Sequence, residues 1–177
     1  MDDGALMEQV SRGDREAFAV LVEQYAPALQ AFALRLLVQQ PQAEEVVQET
    51  LTRVWLKAGD YNAERARLST WLHRIAHNLC VDRLRRQERE VPLTALESAL
   101  TARDTAEHLI ETLDSRDRVT SAIASLSERH RTALVLTYYQ RLSNREVAEI
   151  MGVSIRALES LLVRARQQIK TTLEASS

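Results

Sequence analysis

The C-terminal segment RLSNREVAEIMGVSIRALESLLVRARQQIK, residues 141–170, holds the side chains best suited to chemistry. If it is helical from residue 155, one apolar stripe at spacings of three and four consists of Ile155, Leu158, Leu162, Ala165 and Ile169. The outward face then carries Arg156, Ala157, Glu159, Ser160, Val163, Arg164 and Arg166. Arginine can donate to guanine or bind phosphate, and glutamate can accept from cytosine. The pattern indicates a helix that contacts DNA.

Two short signals predict how this helix is positioned. Ser143 and Glu146 have the spacing of a capping box, which starts a helix. Gly152 suits the left-handed conformation that ends a helix, and Ser154 can cap the next one. Two helices joined by a short Gly-containing turn predict a helix-turn-helix, whose second helix enters the major groove. An ordinary helical hairpin with a polar face is the alternative.

A second amphipathic helix is predicted for AEEVVQETLTRVW, residues 43–55. Its buried stripe would contain Val46, Val47, Thr50, Leu51 and Val54. Another face, also at helical spacing, carries Glu45, Gln48, Glu49, Thr52 and Leu56. The spacing alone does not decide whether this face is only solvated or binds a partner.

A polar loop at residues 60–69 precedes a third predicted helix, TWLHRIAHNLCVDRLRR, at residues 70–86. Its inner face would contain Trp71, Leu72, Ile75, Leu79 and Leu84, and its outer face His73, Arg74, His77, Asn78, Asp82, Arg85 and Arg86. His73 and His77 stand four residues apart and could bind a metal. However, HRIAH lacks the glutamate of the metalloprotease motif, and no third ligand is apparent. We therefore expect surface or groove histidines, no metal or other cofactor, and no enzyme.

Composition predicts an all-α protein of two small domains. The 177 residues include only four Gly and three Pro, and good helix formers dominate. A single cysteine, Cys80, excludes an intrachain disulfide and fits a reducing cytoplasm. The acidic N-terminus is unlike a signal peptide, and no apolar run approaches the roughly 18 residues that span a membrane. We expect no direct membrane insertion.

Charge is segregated along the chain. Residues 65–89 hold seven basic and two acidic residues, and residues 118–177 hold nine and five. Between them, residues 90–117 hold two basic and seven acidic residues. Two basic segments suggest two anionic contact zones, although arginines on solvated helix faces are the alternative. We predict domains at 1–88 and 118–177, joined by a linker at 89–117 with short helices near residues 93–100 and 109–113.

Taken together, these motifs resemble the extracytoplasmic-function (ECF, group IV) sigma factors of bacterial RNA polymerase. RGDREAFAVLVEQYAPAL resembles the family's opening helices, and AEEVVQETLTRVW its region 2.2. YNAERARLSTWLHRIAHNLCVDRLRR resembles regions 2.3 and 2.4, and residues 124–169 resemble region 4. Region 3 of the larger sigma factors has no counterpart, which is typical of this family. The order of the motifs is more specific than any one of them.

The resemblance implies a role for each matching residue. Glu45, Gln48, Glu49 and Thr52 would contact the β′ coiled-coil clamp of core polymerase. The minus-10 element would be met by Asp60, Tyr61, Asn62, Arg65, Arg67, Arg74, His77, Asn78, Asp82, Arg83, Arg85 and Arg86. The minus-35 element would be read by Ser154, Arg156, Ala157, Glu159, Ser160, Val163, Arg164 and Arg166. Further implied partners are the β flap and an anti-sigma factor, membrane-bound in some members.

Three departures from the family pattern concern DNA recognition. Glu159 stands where a basic or small polar residue is common, Leu161 where a further Arg is common, and His77 where Arg is common. The family's average promoter sequence is therefore not transferred to this chain. The main alternative function is a two-domain helix-turn-helix regulator that is not a polymerase subunit. A helical adaptor without a DNA role is disfavoured by the capped helix-turn-helix.

Overall fold

The computed structural model describes residues 2–90 and 115–175, and within these ranges every regular element is helical. The helices are α1 (Asp3–Ser11), α2 (Arg15–Leu37), α3 (Gln40–Leu56), α4 (Leu68–Glu90), α5 (Ser115–Ala124), α6 (Glu128–Leu134), α7 (Asn144–Met151) and α8 (Ile155–Ala175). A 3-10 turn at Ala58–Asp60 follows α3, and a π-helical turn at Val135–Tyr139 continues α6. The all-α prediction is confirmed. The short helices predicted near 93–100 and 109–113 lie outside the described residues.

Helix α2 organises the N-terminal half. Asp14 caps it by accepting hydrogen bonds from the backbone N–H groups of Glu16, at 2.9 Å, and Ala17, at 3.1 Å. Pro27 lies within this helix and does not end it. Helix α1, which sequence patterning did not predict, packs on α2, where the Tyr25 hydroxyl donates to Asp3 at 2.7 Å. The N-terminal half is thus a four-helix domain built around α2.

By length and composition, α2 is long and apolar enough to cross a membrane, so the expectation that no such segment exists was wrong. In the fold, α2 packs against α3 and α4. Its fully buried side chains include Leu21, Leu29, Phe32 and Leu36. The core helix of a helical domain passes the same test of length and composition.

The predicted helix-turn-helix is formed by α7 and α8. The Ser143 hydroxyl accepts from the Glu146 N–H at 3.3 Å, and the Glu146 carboxylate accepts from the Ser143 N–H at 2.8 Å. Gly152 ends α7 with a φ of 64°, the left-handed conformation expected of it. Ser154 then accepts from the Ala157 N–H at 3.1 Å. Local sequence signals therefore fix both ends of the turn.

Removing the capping hydroxyl measures how much the capping box contributes to the stability of the fold. We expect Ser143→Ala to lower the free energy of unfolding by about 1 kcal/mol, because the Glu146 N–H loses its acceptor. Urea denaturation followed by circular dichroism measures this change. Ser160→Ala is the matched control, since its hydroxyl donates to the Arg156 carbonyl within α8 and caps no helix start. Equal stability of the two variants would contradict the capping assignment.

The two halves pack against each other through α2, α4, α6, α7 and the π-helical turn. Arg131 of α6 donates to the Leu36 carbonyl at 2.7 Å, and Gln140 donates to the Ala28 carbonyl at 3.3 Å. The Arg35 guanidinium lies 4.2 Å from the centre of the Tyr139 ring. The buried apolar residues of both halves form one continuous cluster. This arrangement, called the closed arrangement below, buries part of α4 that the sequence suggested was outward-facing.

Two side-chain orientations differ from the predictions. His73 and His77, expected on the outer face of α4, are buried with 3% and 8% of their surfaces exposed. The reason is tertiary, because the His73 ring packs against Phe32 of α2 with ring centres 5.4 Å apart, and His77 lies 3.7 Å from Glu128 of α6. Ile155, expected in the buried stripe of α8, is 48% exposed because it lies in the first turn of that helix. The stripe is otherwise correct, with Leu158, Leu162 and Ala165 buried.

Burial gives His73 a measurable effect on stability. Burial lowers the pKa of His73 from its ordinary value of 6.5, although the Ser69 carbonyl and Gln140 oppose the shift. A lowered pKa means that the unfolded chain binds the proton more readily, so stability falls as pH drops through the ordinary histidine range. Between about pH 7.5 and 5.5, we expect a smaller loss in melting temperature for His73→Gln than for the wild type. Equal losses would show that another group controls this range.

Candidate functional site

A groove between α3 and α4, with a volume of about 760 Å³, collects most of the polar residues predicted on these helices. One wall is the α3 face predicted to bind polymerase, with Glu45, Gln48, Glu49 and Thr52 all exposed. The other wall belongs to α4 and contains Leu79, Asp82, Arg83, Arg86 and Gln87. We call this feature the α3–α4 groove. It brings together residues that the sequence assigned to two different partners.

Two ion pairs, one across the groove and one along α3, hold the charged side chains of the groove in position. Arg83 donates to Glu45 at 2.6 Å, which joins α4 to α3. Arg53 donates to Glu49 at 2.9 Å within α3. Surface pairs of this kind add little stability, because water screens them and ordering long side chains opposes them. Their main effect is to hold carboxylates and guanidinium groups side by side on one accessible surface.

The loop before α4 is anchored by an aromatic side chain. The rings of Tyr61 and Trp71 lie 5.5 Å apart, and Tyr61 is half-buried. Burial and the nearby Asp3 and Asp2 raise the pKa of Tyr61. Asn62 accepts from the Glu64 N–H at 2.8 Å and so shapes the loop. The remaining predicted loop residues are exposed, namely Asp60, Asn62, Arg65 and Arg67.

The predicted DNA face of α4 is divided between solvent and the C-terminal half. Arg74, Asn78, Asp82, Arg85 and Arg86 are exposed, Arg83 is half-buried, and His77 is buried. Arg74 lies 3.9 Å from Glu149 of α7, and His77 lies 3.7 Å from Glu128 of α6. These contacts with Glu128 and Glu149 were not predicted from the sequence. Their only sequence signal is a few acidic residues within an otherwise basic segment.

The second helix of the helix-turn-helix presents its predicted face to solvent. Every residue assigned to base reading is exposed, namely Ser154, Arg156, Ala157, Glu159, Ser160, Val163, Arg164 and Arg166. Arg166 is partly held, because it donates to the Tyr138 hydroxyl and to the Leu162 carbonyl, both at 3.3 Å. The exposed apolar Val163, with 58% of its surface accessible, can contact a thymine methyl group. The α8 face therefore has the exposure and the chemistry that base reading requires.

Cys80 is unsuited to redox chemistry. It is fully buried, and burial raises the pKa of its thiol to about 12. The reactive form of cysteine is the thiolate, which is scarce at neutral pH when the pKa is this high. Across residues 2–90 and 115–175, no three His, Cys, Asp or Glu side chains are grouped to hold a metal ion.

Comparison with known families identifies both halves. Residues 21–90 match the sigma-70 region 2 family, and residues 116–169 match the sigma-70 region 4 family. The ECF RNA polymerase sigma factor SigK of Mycobacterium ulcerans is 30% identical over 99% of this chain and 95% of its own length. The chain belongs to the ECF family of RNA polymerase sigma factors. SigW of Bacillus subtilis, another ECF sigma factor, is 28% identical over 94% of both chains.

A solved structure shares the fold of this chain. CnrH, determined in complex with the cytosolic domain of CnrY, superposes with a TM-score of 0.73 at 27% identity and with 99% of each chain covered. The two matched sigma regions follow one another in the order predicted from the sequence motifs. The family is one of transcription initiation factors, so the two-domain regulator that is not a polymerase subunit is not favoured.

Proposed function

We propose that this chain is an alternative sigma factor that binds core RNA polymerase, recognises minus-35 and minus-10 promoter elements and helps to melt DNA. The observation that carries the proposal is the order of the two sigma regions along nearly the whole chain. The exposed recognition face of α8 supports it, because a helix-turn-helix inserts such a face into the major groove. The domains are proposed at 1–88 and 118–177 with a linker at 89–117, although α4 extends to Glu90 and α5 begins at Ser115.

The α3–α4 groove is the proposed docking surface for the β′ coiled coil of polymerase. The exposed α3 face, with Glu45, Gln48, Glu49 and Thr52, supports this role. Because Arg83 is paired to Glu45 at 2.6 Å, we propose that Arg83 contacts polymerase and not the minus-10 element. Asp82 and Arg86 line the same groove, and we propose the same role for them. Alternating charges suit a protein partner with its own charged helices.

The minus-10 element is proposed to meet the loop and the remaining polar face of α4. Exposed Asn78 and Arg85 can contact DNA directly in the closed arrangement. The loop residues Asp60, Tyr61, Asn62, Arg65 and Arg67 would bind an extruded base and its backbone. Extruding a base costs a few kcal/mol, and binding in this loop would offset part of that cost. Arg74 and His77 belong to the same face but are engaged by the C-terminal half.

The minus-35 element is proposed to lie against α8. Arginines at 156, 164 and 166 supply contacts to guanine and phosphate. The Glu159 carboxylate repels anionic groups but can accept a hydrogen bond from the amino group of cytosine. The C-terminal half would also meet the β flap of polymerase. An anti-sigma factor is a further proposed partner, because the structurally similar sigma factor RpoE of Bartonella quintana was determined in complex with the anti-sigma factor NepR. The proposed location is the cytoplasm, or the inner membrane by way of a membrane-bound anti-sigma factor.

In vitro transcription is the decisive test. Purified chain and core polymerase would be incubated with promoter DNA from the chain's own operon and with a pool of genomic fragments. We expect initiation at discrete start sites that depends on the added chain. Core polymerase alone is the control for non-specific initiation. The sigma assignment is wrong if no promoter-specific transcript appears from either template.

Without polymerase, the chain should bind duplex promoter DNA weakly. Each basic surface is small and binds DNA weakly by itself. When the chain is docked on polymerase, binding of one surface to DNA raises the effective concentration of the other surface at its own DNA element. We expect affinity to fall at least tenfold between about 50 and 200 mM salt, because the contacts are mainly with phosphates. Fluorescence anisotropy measures this dependence. Tight, salt-resistant binding by the isolated chain would instead favour an independent DNA-binding regulator.

A further inference from the structure

The N-terminal helix α1 lies beside the loop that the proposed function assigns to the minus-10 element. Its inner face is apolar, and Leu6, Met7 and Val10 are almost fully buried in the core. Helix α1 packs on α2 and also on the 3-10 turn Ala58–Asp60, from which the loop begins. Residues 60–67 are called the minus-10 loop below. No residue of α1 has a role in the proposed function, although the helix contacts the start of this loop.

The first turn of α1 lies within contact distance of the middle of the minus-10 loop. A β-carbon at Gly4 would lie 3.7 Å from the β-carbon of Ala63, which is an ordinary van der Waals contact. The start of the loop is held separately, because Ala58 is buried and the Asp60 N–H donates to the Lys57 carbonyl at 2.9 Å. The loop is therefore bounded by α1 at its middle and by the end of α3 at its start.

One hydrogen bond holds α1 in this position. The Tyr25 hydroxyl of α2 donates to the Asp3 carboxylate at 2.7 Å, and both side chains are half-buried. Burial raises the pKa of Tyr25 above its ordinary value, and the hydrogen bond to Asp3 adds to the shift. Tyr25 is therefore protonated at neutral pH and able to donate. Hydrogen bonds to a charged acceptor are stronger than those between neutral groups.

The same carboxylate acts on the aromatic residue of the minus-10 loop. Tyr61 packs on Trp71 with ring centres 5.5 Å apart. Burial is the main cause that raises the pKa of Tyr61, and the charges of Asp3 and Asp2 raise it further, which places both carboxylates near this residue. Asp3 is thus joined to α2 by a hydrogen bond and lies close to the loop that follows α3.

We propose that α1 is a positioning element for the minus-10 loop, and that Asp3 and Tyr25 are its positioning residues. A loop already held in the shape that receives an extruded base loses less conformational freedom when the base binds. Asp3 and Tyr25 thereby favour promoter opening without touching DNA. This inference rests on the proposed function, because it takes the minus-10 loop to bind an extruded base.

Removing either partner of the hydrogen bond tests the inference in the free chain. Tyr25→Phe removes the donor, Asp3→Ala removes the acceptor, and Asp3→Asn keeps an amide oxygen that can accept. With Trp55→Phe as the common background, Trp71 is the only tryptophan, and its fluorescence reports the position of Tyr61. We expect acrylamide to quench Trp71 more strongly in Tyr25→Phe and Asp3→Ala, but not in Asp3→Asn. Unchanged quenching in all three variants would show that α1 does not position the loop.

The rate of promoter opening gives the functional readout. Holoenzyme made from each variant would be mixed with promoter DNA from the chain's own operon, carrying 2-aminopurine in the minus-10 element, whose fluorescence rises when the base unstacks. We expect opening to be about tenfold slower for Tyr25→Phe and Asp3→Ala, because hydrogen bonds to charged groups have effects of this order. Affinity for core polymerase should be unchanged. Equal opening rates despite stronger quenching of Trp71 would overturn the inference.

Two variants serve as matched controls for the opening rate. Glu8→Ala removes an exposed carboxylate from the same helix, where it pairs only with the neighbouring Arg12 among the described residues. Tyr139→Phe removes a tyrosine hydroxyl far along the chain and keeps the ring over Arg35. Both controls should open the promoter at the wild-type rate. Slow opening by either one would show that the effect is not specific to the Asp3 and Tyr25 pair.

Removing the base itself separates positioning from a general loss of stability. Templates would carry an abasic site at one non-template position of the minus-10 element at a time. Where the extruded base is missing, the wild type and Tyr25→Phe should open equally slowly, because the loop has no base to hold. At the other positions their difference should persist. A difference at every position would overturn the inference, whereas no opening of intact promoter by wild-type holoenzyme would contradict the proposed function.

A disulfide between α1 and the minus-10 loop provides a rescue. The 3.7 Å between β-carbons at Gly4 and Ala63 suits a disulfide, whose β-carbons lie about 3.8 Å apart on average. In a Tyr25→Phe chain with Gly4→Cys and Ala63→Cys, oxidation should restore the opening rate, and dithiothreitol should abolish the rescue. The native Cys80 is fully buried and does not compete. A disulfide confirmed by mass spectrometry that leaves opening slow would overturn the inference.

Discussion

Glu45→Arg combined with Glu49→Arg is expected to abolish binding of core RNA polymerase, with a loss of at least about a hundredfold in affinity. In the proposed complex, the interface with polymerase buries these two glutamates. Truncating one partner of a charge pair that is buried in an interface costs about 2–5 kcal/mol, and charge reversal adds repulsion to that loss. Both glutamates are exposed, and their partners Arg83 and Arg53 lie at the surface of the α3–α4 groove. The fold should therefore survive. Surface plasmon resonance with immobilised polymerase measures the affinity.

The control for this prediction is Glu16→Arg with Glu23→Arg. These glutamates are exposed on α2 and do not line the α3–α4 groove, so the same change in net charge should leave affinity nearly unaltered. Circular dichroism should give the same helical content for both variants. Polymerase binding that persists after reversal at Glu45 and Glu49 would mean that this face is only solvated.

Phe32→Ala is expected to cause the largest loss of stability, about 3–5 kcal/mol. Phe32 is fully buried in α2, and its ring centre lies 5.4 Å from that of His73 in an edge-to-face contact. Alanine leaves a cavity between α2 and α4 in addition to the lost burial of the ring. Urea denaturation of the full chain measures the change. Phe32→Leu, which keeps most of the volume, should cost much less, and equal losses would exclude a cavity as the cause.

Local signals in the sequence predicted the helices and the recognition face well. The Ser143 and Glu146 capping box, the left-handed Gly152 and the exposed α8 residues are all present as expected. These features depend on residues within about one turn of each other, and short-range physical rules apply to them directly. The exposure of the α3 face was likewise correct. What that face binds is a proposal, because exposure does not name a partner.

Contacts between distant parts of the chain could not be predicted in the same way. The Glu45 to Arg83 pair joins residues that the sequence assigned to different partners, and His77 was expected to face outward. A helix with polar residues on two sides gives no local sign of which side another domain covers. The sequence of α4 fits both an exposed and a covered face, and only the packing of the C-terminal half distinguishes them.

The π-helical turn at Val135–Tyr139 has a consequence for how this protein tolerates length changes. Such a turn holds one residue more than the α-helix around it would. It sends Tyr139 towards Arg35 of α2, while the neighbouring Tyr138 hydroxyl accepts from Arg166 of the recognition helix. Deleting one residue here would restore a regular helix and rotate the helix-turn-helix by about 100°. Family members of different length at this point should therefore join their halves through different aromatic contacts.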